Sequence, residues 1–355
     1  MRPMSLPKFH ELPQVSAAPQ GCAWGLFDEN GIKDQVGTLN LLTPTVVIEA
    51  SKKIRTGESV VLNWGLENPP SPYYREKFEH EIIDVGKHYN MPIQCFDDTL
   101  KFNTQSSSQW DGFSELGILL QVTRSHSQSQ GTGAMQNLDS ITMGSCTTIW
   151  SEMPMAACTV GLILCPQTPQ LMCQDWSERG GIVARGVLVN FVAWAERNQV
   201  DIKPASRQVI SLDVIKEILR EENIDLTTGD ILILRTGLIQ AYNKCKNDEE
   251  RDALMRTSQT IGAEASENMV QWLWNNHFST VAGDAAAFEA QPFAEDYALR
   301  DYLLVWWGMP IGEMWDLEAL AAKCQALKRW TFFVTSAPLN VKGGVASPPN
   351  ALAVF

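Results

Sequence analysis

Apolar positions first fall into a helical rhythm after Thr43, where Val47, Ala50 and Ile54 follow at spacings of three and four. Thr43 is a natural N-cap, Pro44 suits the first helical position, and Gly57 is a C-terminal stop. Residues 58–66 then read as a strand. Residues 68–98, rich in Pro, Tyr and charge, read mainly as loop, and 100–102 as a short strand entering the polar run 104–109. The second half is more regular. Buried-strand patterns at 186–191, 231–234, 279–282 and 330–335 alternate with helical patterns beginning near 192 and over 211–222, 264–275, 302–307 and 317–327. Gly308 is placed to stop the fourth of these helices and Asp316 to cap the last. Alternating strands and helices predict an α/β fold.

One segment breaks both rhythms. Over about 114–174, charged residues almost vanish, half of the eight cysteines gather, and Met, Ser, Thr and Gln are dense. Two readings fit: a long polar insertion, loosely packed, or an error in the gene model. The rest of the composition, 45% hydrophobic and 19% charged, suffices for a sizeable core, and one domain over 1–355 with this interruption is expected. A formal net charge of −13 repels phosphate backbones and anionic membranes, so nucleic acid and membranes are not expected partners. Residues 1–7 lack the apolar region of a secretory signal, and no apolar run is long enough to span a bilayer. A cytoplasmic location is expected, with reduced thiols, and no Cys-x-x-Cys pair suggests structural zinc.

Three constellations could carry chemistry. In the run Gln105-Ser-Ser-Ser-Gln-Trp-Asp-Gly112, an extended backbone turns residues two apart the same way, so Gln105, Gln109 and Asp111 can share a face. Amide and carboxylate oxygens are hard donors that suit Mg²⁺, Mn²⁺ or Ca²⁺ better than Zn²⁺. A polar turn is the plain alternative. In Gly308-Met-Pro-Ile-Gly-Glu-Met-Trp-Asp316, Glu313 follows a strand-like piece where site carboxylates are common. Asp284 follows a strand end, with Glu289 beyond it, and is either a ligand-facing carboxylate or a satisfied turn residue. None of the five histidines has ligand spacing, and no nucleophile elbow, phosphate-binding loop or dinucleotide fingerprint is present. Trp24, Trp64, Trp110, Trp306, Trp307 and Trp315 could wall an aromatic pocket or pack in the core.

The stretch Phe102 to Gly112 resembles the cyclase family of kynurenine formamidase-like, metal-dependent hydrolases. Five other stretches agree in order: 37–44, 180–188, 229–237, 308–317 and 336–350. The resemblance implies a swivelling β/β/α domain with a mixed central sheet, a homo-oligomer, and metal-assisted hydrolysis of a small amide or ester such as N-formylkynurenine. The family's metal motif is H-x-G-T-H-x-D-x-x-x-H. Gln105 and Gln109 stand at its first two His positions, Asp111 matches its Asp, and Glu115 stands where the last His belongs. The run matches a branch written Q-S-S-S-Q-W-D-G-x-x-H, whose closing His is also absent here. Glu313 matches a family metal-ligand Glu.

Together these readings predict a hydrolase or cyclase acting on a small amide, ester or lactone. Gln105, Gln109, Asp111 and Glu313 would hold a divalent metal, Mn²⁺ or Mg²⁺ by donor chemistry and Zn²⁺ by resemblance. Asp111 and Glu115 would be catalytic, and Trp110, Asp284 and Trp24 would contact substrate. The alternatives are a catalytically inactive member that binds a small aromatic ligand or a protein partner, and metal-free acid–base catalysis by Asp111 and Glu115.

Overall fold

A computed structural model describes residues 6–15, 18–72, 75–112, 173–294 and 297–355. Nearly all of the low-charge segment, including Glu115, lies outside the described residues. The strands in chain order are β1 (Ser59–Val61), β2 (Glu79–Asp84), β3 (Phe96–Lys101), β4 (Gln109–Asp111), β5 (Ile182–Asn190), β6 (Val209–Ile210) and β7 (Ile231–Arg235). They continue with β8 (Gly262–Ala263), β9 (Thr280–Gly283), β10 (Ile311–Glu313), β11 (Thr331–Ser336), β12 (Ala346–Ser347) and β13 (Ala351–Val354). The helices are α1 (Pro44–Ser51), α2 (Val85–His88), α3 (Cys173–Glu178), α4 (Phe191–Arg197) and α5 (Leu212–Glu221). After them come α6 (Leu238–Lys244), α7 (Asp248–Met255), α8 (Glu267–Asn275) and α9 (Glu318–Leu327), with a π-helical segment at Asp301–Trp306. Among the described residues, no helix is long and apolar enough to cross a membrane.

Nine strands form one mixed sheet in the order β1-β13-β11-β5-β7-β9-β10-β4-β12. Its centre, β5-β7-β9-β10, is parallel, and the flanking pairs are antiparallel. The expected α/β architecture with a mixed central sheet is thus what the chain adopts. Alternate residues of each central strand feed two different cores, because side chains leave a strand on opposite faces. Val187, Val189, Leu232, Leu234, Val281 and Ile311 enter the core beneath α5 and α8. Ile182, Ala184, Leu188, Ile231, Ile233 and Ala282 enter the core that includes Trp110, Trp315 and Phe332. Burial on both faces explains why 231–234 reads as an unbroken apolar run.

Local signals set most helix starts. Thr43 accepts from Val46 N, Ser211 from Val214 N, and Ser266 from Met269 N. Asp316 Oδ1 accepts from Glu318 N at 3.1 Å, although α9 begins one residue later than expected. Two expectations are refined. Residues 68–98 are mainly loop, as expected, but also hold an unexpected exposed hairpin: β2 and β3 pair along six residues each, with α2 between them. Its strands carry few buried positions, so no apolar alternation marks them. The strand expected over 58–66 shortens to Ser59–Val61, because the chain beyond Leu62 turns to meet the Ser106–Ser108 run.

Distant motifs meet through close backbone approach. Gly37 takes φ +55, and a Cβ there would lie 2.3 Å from the Gly308 carbonyl oxygen. Thr38 Oγ1 donates to the Ser279 carbonyl at 2.7 Å, tying the same segment to β9. Glu289 is buried and accepts from Leu299 N at 2.8 Å and Arg300 N at 2.9 Å, anchoring the start of the π-helical segment.

Burial pushes the Glu289 carboxyl from its ordinary 4.5 up to about 7, against the two N–H donors that favour ionisation. A carboxyl whose folded pKa exceeds its unfolded one contributes stability that is fully present below pH 4.5 and lost as pH rises through 7. The loss is roughly 3 kcal/mol by pH 8. Glu289→Gln cannot titrate. In urea unfolding at pH 4.5 and pH 8, wild type should weaken relative to this variant by that amount; a difference that stays constant with pH would contradict the assignment.

Candidate functional site

β4 and β10 run antiparallel, and their register places Asp111 opposite Ile311, Trp110 opposite Gly312, and Gln109 opposite Glu313. Directly opposed residues share a face, so Gln109, Asp111 and Glu313 project together on the face that also carries Ile311. Trp110 projects the other way. Gly312 makes this pairing possible, since a Cβ there would lie 2.7 Å from Ala282 Cβ and 2.8 Å from the Trp315 ring.

The side chains form one network. Gln109 Nε2 donates to Glu313 Oε2 at 2.9 Å and to Asp111 Oδ2 at 3.3 Å. Gln105 reaches in from the preceding loop and donates through Nε2 to Asp111 Oδ1 at 3.2 Å. Gln109 and Asp111 are buried, while Gln105 and Glu313 are half-buried. Two carboxylates thus stand close together, linked by amide hydrogens. The Gln109 amide has one tenable orientation, because reversing it would set its oxygen against both carboxylates. Its Oε1 is consequently buried without a hydrogen-bond partner among the described residues. A buried orphan acceptor costs free energy and marks a place where a ligand can be received.

The backbone around the cluster is fixed from several sides. Ser108 Oγ accepts from Trp64 N at 2.9 Å, Ser107 Oγ donates to the Gly65 carbonyl at 2.8 Å, and Ser106 Oγ donates to the Asn103 carbonyl at 2.8 Å. The three serines are pegs for the loop, and none is set up as a nucleophile. Trp315 Nε1 donates to the Gln109 carbonyl at 3.2 Å. Immediately after Glu313, Met314 takes φ 52, a conformation rare for a residue with a Cβ, and its N donates to the Ala285 carbonyl at 2.9 Å. Cys173 lies within reach of Asp111, but burial first and that negative charge second push its thiol up to about 12. In that environment it is not an activated nucleophile at neutral pH.

The structure brings together Gln105, Gln109, Asp111 and Glu313, the four residues expected to hold a metal. Two of the three expected substrate contacts, Trp110 and Asp284, are corrected. Trp110 is wholly buried in the opposite core, edge-on to Trp315 at 4.8 Å between ring centroids, with Nε1 donating to Ser336 Oγ. Strand alternation forces this: the residue between two site residues must face away. Trp24 packs on Trp306 and donates Nε1–H to the Val305 carbonyl at 2.8 Å, which anchors the N-terminal segment. Asp284 is fully buried, and its two oxygens accept from Thr236 N, Thr236 Oγ1 and Gly237 N at 2.5 to 2.8 Å. It is the satisfied turn residue of the two alternatives. Trp64, Trp306, Trp307 and Trp315 are buried and serve packing. His80 pairs with Asp98 on the exposed hairpin.

Sequence reasoning gave no role to the ion-pair network beside β5. Arg235, nearly buried, donates to both Glu318 oxygens at 2.9 and 2.8 Å and to Asn190 Oδ1 at 3.1 Å. Asn190 is also the N-cap of α4, accepting from Ala193 N. The signal was an Arg inside an apolar strand, which demands a buried partner.

This mixed sheet with helices on both faces, and an acid pair at its antiparallel margin, defines an α/β protein of the cyclase type. The sequence model of the Cyclase family matches residues 71–290, and the chain belongs to that family. A solved structure described as a novel cyclase is 24% identical, with 94% of this chain and 99% of that one covered and a TM-score of 0.69. Isatin hydrolase A from Ralstonia solanacearum is 14% identical over 88% of this chain and 98% of its own, with a TM-score of 0.53. An isatin hydrolase bound to the product analogue thioisatinate is 12% identical over 86% and 94%, with a TM-score of 0.54. These likenesses are of fold. Among curated proteins, none matches.

Asp284→Ala strands three buried donors at once and should lower stability by about 3 kcal/mol in chemical denaturation. A loss below about 1 kcal/mol would show that water takes over the carboxylate's role.

Proposed function

We propose that the chain is a metal-dependent hydrolase or cyclase acting on a small amide, ester or lactone, with its centre at Gln105, Gln109, Asp111 and Glu313. The single observation that carries this reading is the oxygen-rich cluster containing a buried orphan, Gln109 Oε1. The donor set fits a hard divalent cation. Asp111 and Glu313 would supply charge, and the Gln109 and Gln105 amides would turn their oxygens inward on loading. Among the described residues, no group of three or more His, Cys, Asp or Glu could hold a metal, so the set does not fit Zn²⁺, which favours imidazole and thiolate; Mg²⁺ or Mn²⁺ is the matching choice. When bound, such an ion supplies a water of lowered pKa and polarises a substrate carbonyl. The chain's own part is to hold the two carboxylates on one rigid face and to accept a proton nearby. Glu115, outside the described residues, is the expected proton acceptor together with Asp111.

The isatin hydrolase folds support a hydrolase, and N-formylkynurenine-type arylformamides or cyclic aromatic amides are the substrates to try first. Self-association is part of the reading, and the exposed β2–β3 hairpin, with Ile82 and Phe96 in solvent, is the surface to examine.

One observation favours a second reading. Amide hydrogens of Gln109 already bridge the two carboxylates, doing with a neutral group what a cation would do. On that reading the chain is a non-catalytic member that binds a small aromatic ligand. Metal analysis after dialysis against Mn²⁺ or Mg²⁺ separates the two. The hydrolase reading expects about one ion per chain, chelator-sensitive cleavage of a formylated aniline or lactone, and roughly 10–100-fold weaker metal retention in Gln109→Leu. No retained metal and no hydrolysis, with thermal stabilisation by an aromatic acid, would decide for the second.

A further inference from the structure

A cleft of about 260 Å³ opens elsewhere on the molecule, and five of its lining residues are cationic: Lys53, Arg55, Arg185, Lys328 and Arg329. They come from three separate segments: the chain after α1, strand β5, and the turn between α9 and β11. β5 stands four strand positions from β4, which puts the cleft roughly 19 Å across the sheet from the acid pair.

Two of the cations are accounted for. Arg185 donates to both Asp230 oxygens at 2.7 and 2.6 Å and to the Asp225 carbonyl at 2.7 Å. Arg329 donates to the Lys53 carbonyl at 2.5 Å and lies over the Phe355 ring. The charged ends of Lys53, Arg55 and Lys328 have no hydrogen-bond or ion-pair partner among the described residues. This is notable in a chain of formal net charge −13, where acidic partners are plentiful.

The gathering has a cost in the empty protein. Burial first, then the charges of Arg185, Arg55 and Arg329, push the Lys53 ammonium below its ordinary range. Arg329 is shifted down by burial and by Arg55. Lys328 adds a second cost. It takes φ 52 at the C-terminus of α9, where glycine is the unstrained choice. A lysine held there places an ammonium at the cleft at the expense of backbone strain.

We propose that this cleft binds a phosphate monoester with a hydroxylated body, of the sugar-phosphate class. Converging ammonium and guanidinium groups from separate segments surround a compact multivalent anion and relieve their mutual repulsion on binding. Glu222 and Asp225 also line the cleft. They accept hydrogen bonds from hydroxyl groups and repel a second anionic group, which selects a monoester over a polyphosphate. The volume falls just below the usual range for ligand pockets, so the body is no larger than a single sugar. Trp330 supplies a flat wall. The assignment is independent of the hydrolase reading, and either can fail alone.

The test is titration calorimetry and thermal unfolding of the full chain with inorganic phosphate, ribose 5-phosphate and ribose at constant ionic strength. Ribose 5-phosphate should bind saturably and raise Tm, inorganic phosphate should bind about tenfold more weakly, and ribose should do neither. The Lys53→Ala/Arg55→Ala double variant should lose about tenfold or more in affinity. Lys328→Gly guards against a folding defect, because it should raise the Tm of the unliganded protein while weakening ribose 5-phosphate. Opposite shifts of that kind are not expected from general damage. Absence of saturable binding by either phosphate, or affinity unchanged in both variants, overturns the site. Equal affinity for phosphate and ribose 5-phosphate overturns the hydroxylated body.

Discussion

The antiparallel pairing of β4 with β10 is the constraint on which the site depends. Each strand is only three residues long, yet their register decides which side chains meet. A slip of one residue would bury Asp111 and Gln109 against the tryptophan core and turn Trp110 toward Glu313. The slip is opposed by packing on the far face. Trp110 and Trp315 meet edge to face there, and only glycine fits at 312 between Trp315 and Ala282. The polar cluster is therefore held in place by an apolar contact behind it.

That arrangement separates what is rigid from what is reactive. The Ser106–Ser108 pegs, the Met314 turn and the Trp315 hydrogen bond all act on main chain. None of them uses a site carboxylate. Asp284 and Glu289, acids that a sequence might offer as chemistry, are spent instead on main-chain N–H groups of neighbouring turns and helices. The acids left over for the site are the two that the β4–β10 register brings to one face. Their neighbours are carboxamides, which supply hydrogen to the carboxylates or oxygen to a cation, but not both from one atom. The orphan Gln109 oxygen is the consequence.

The charge distribution follows a similar logic at larger scale. An acidic surface disfavours anions in general, so a cleft lined by five cations concentrates whatever anion affinity the protein has in one place. It lies on the β5–β11 side of the sheet, away from the β4–β10 margin, with β7 and β9 between.

Much was legible in the chain itself. Period-2 and period-3.6 patterns located β5, β7, β9, β11, α1, α5 and α8, because these elements bury a face and burial writes itself into composition. The Gln105–Gly112 run identified the family, and its two-residue spacing foretold that Gln109 and Asp111 would share a face. The β2–β3 hairpin was illegible because it buries almost nothing. Trp110 and Asp284 were misassigned because residue type marks a group as polar or aromatic without saying which way it points. Direction, and the meeting of Glu313 with Gln109 across 204 positions of chain, are set by strand register, which arises only when the sheet assembles. The same holds for the cationic cleft, whose residues lie in three segments that no local pattern connects.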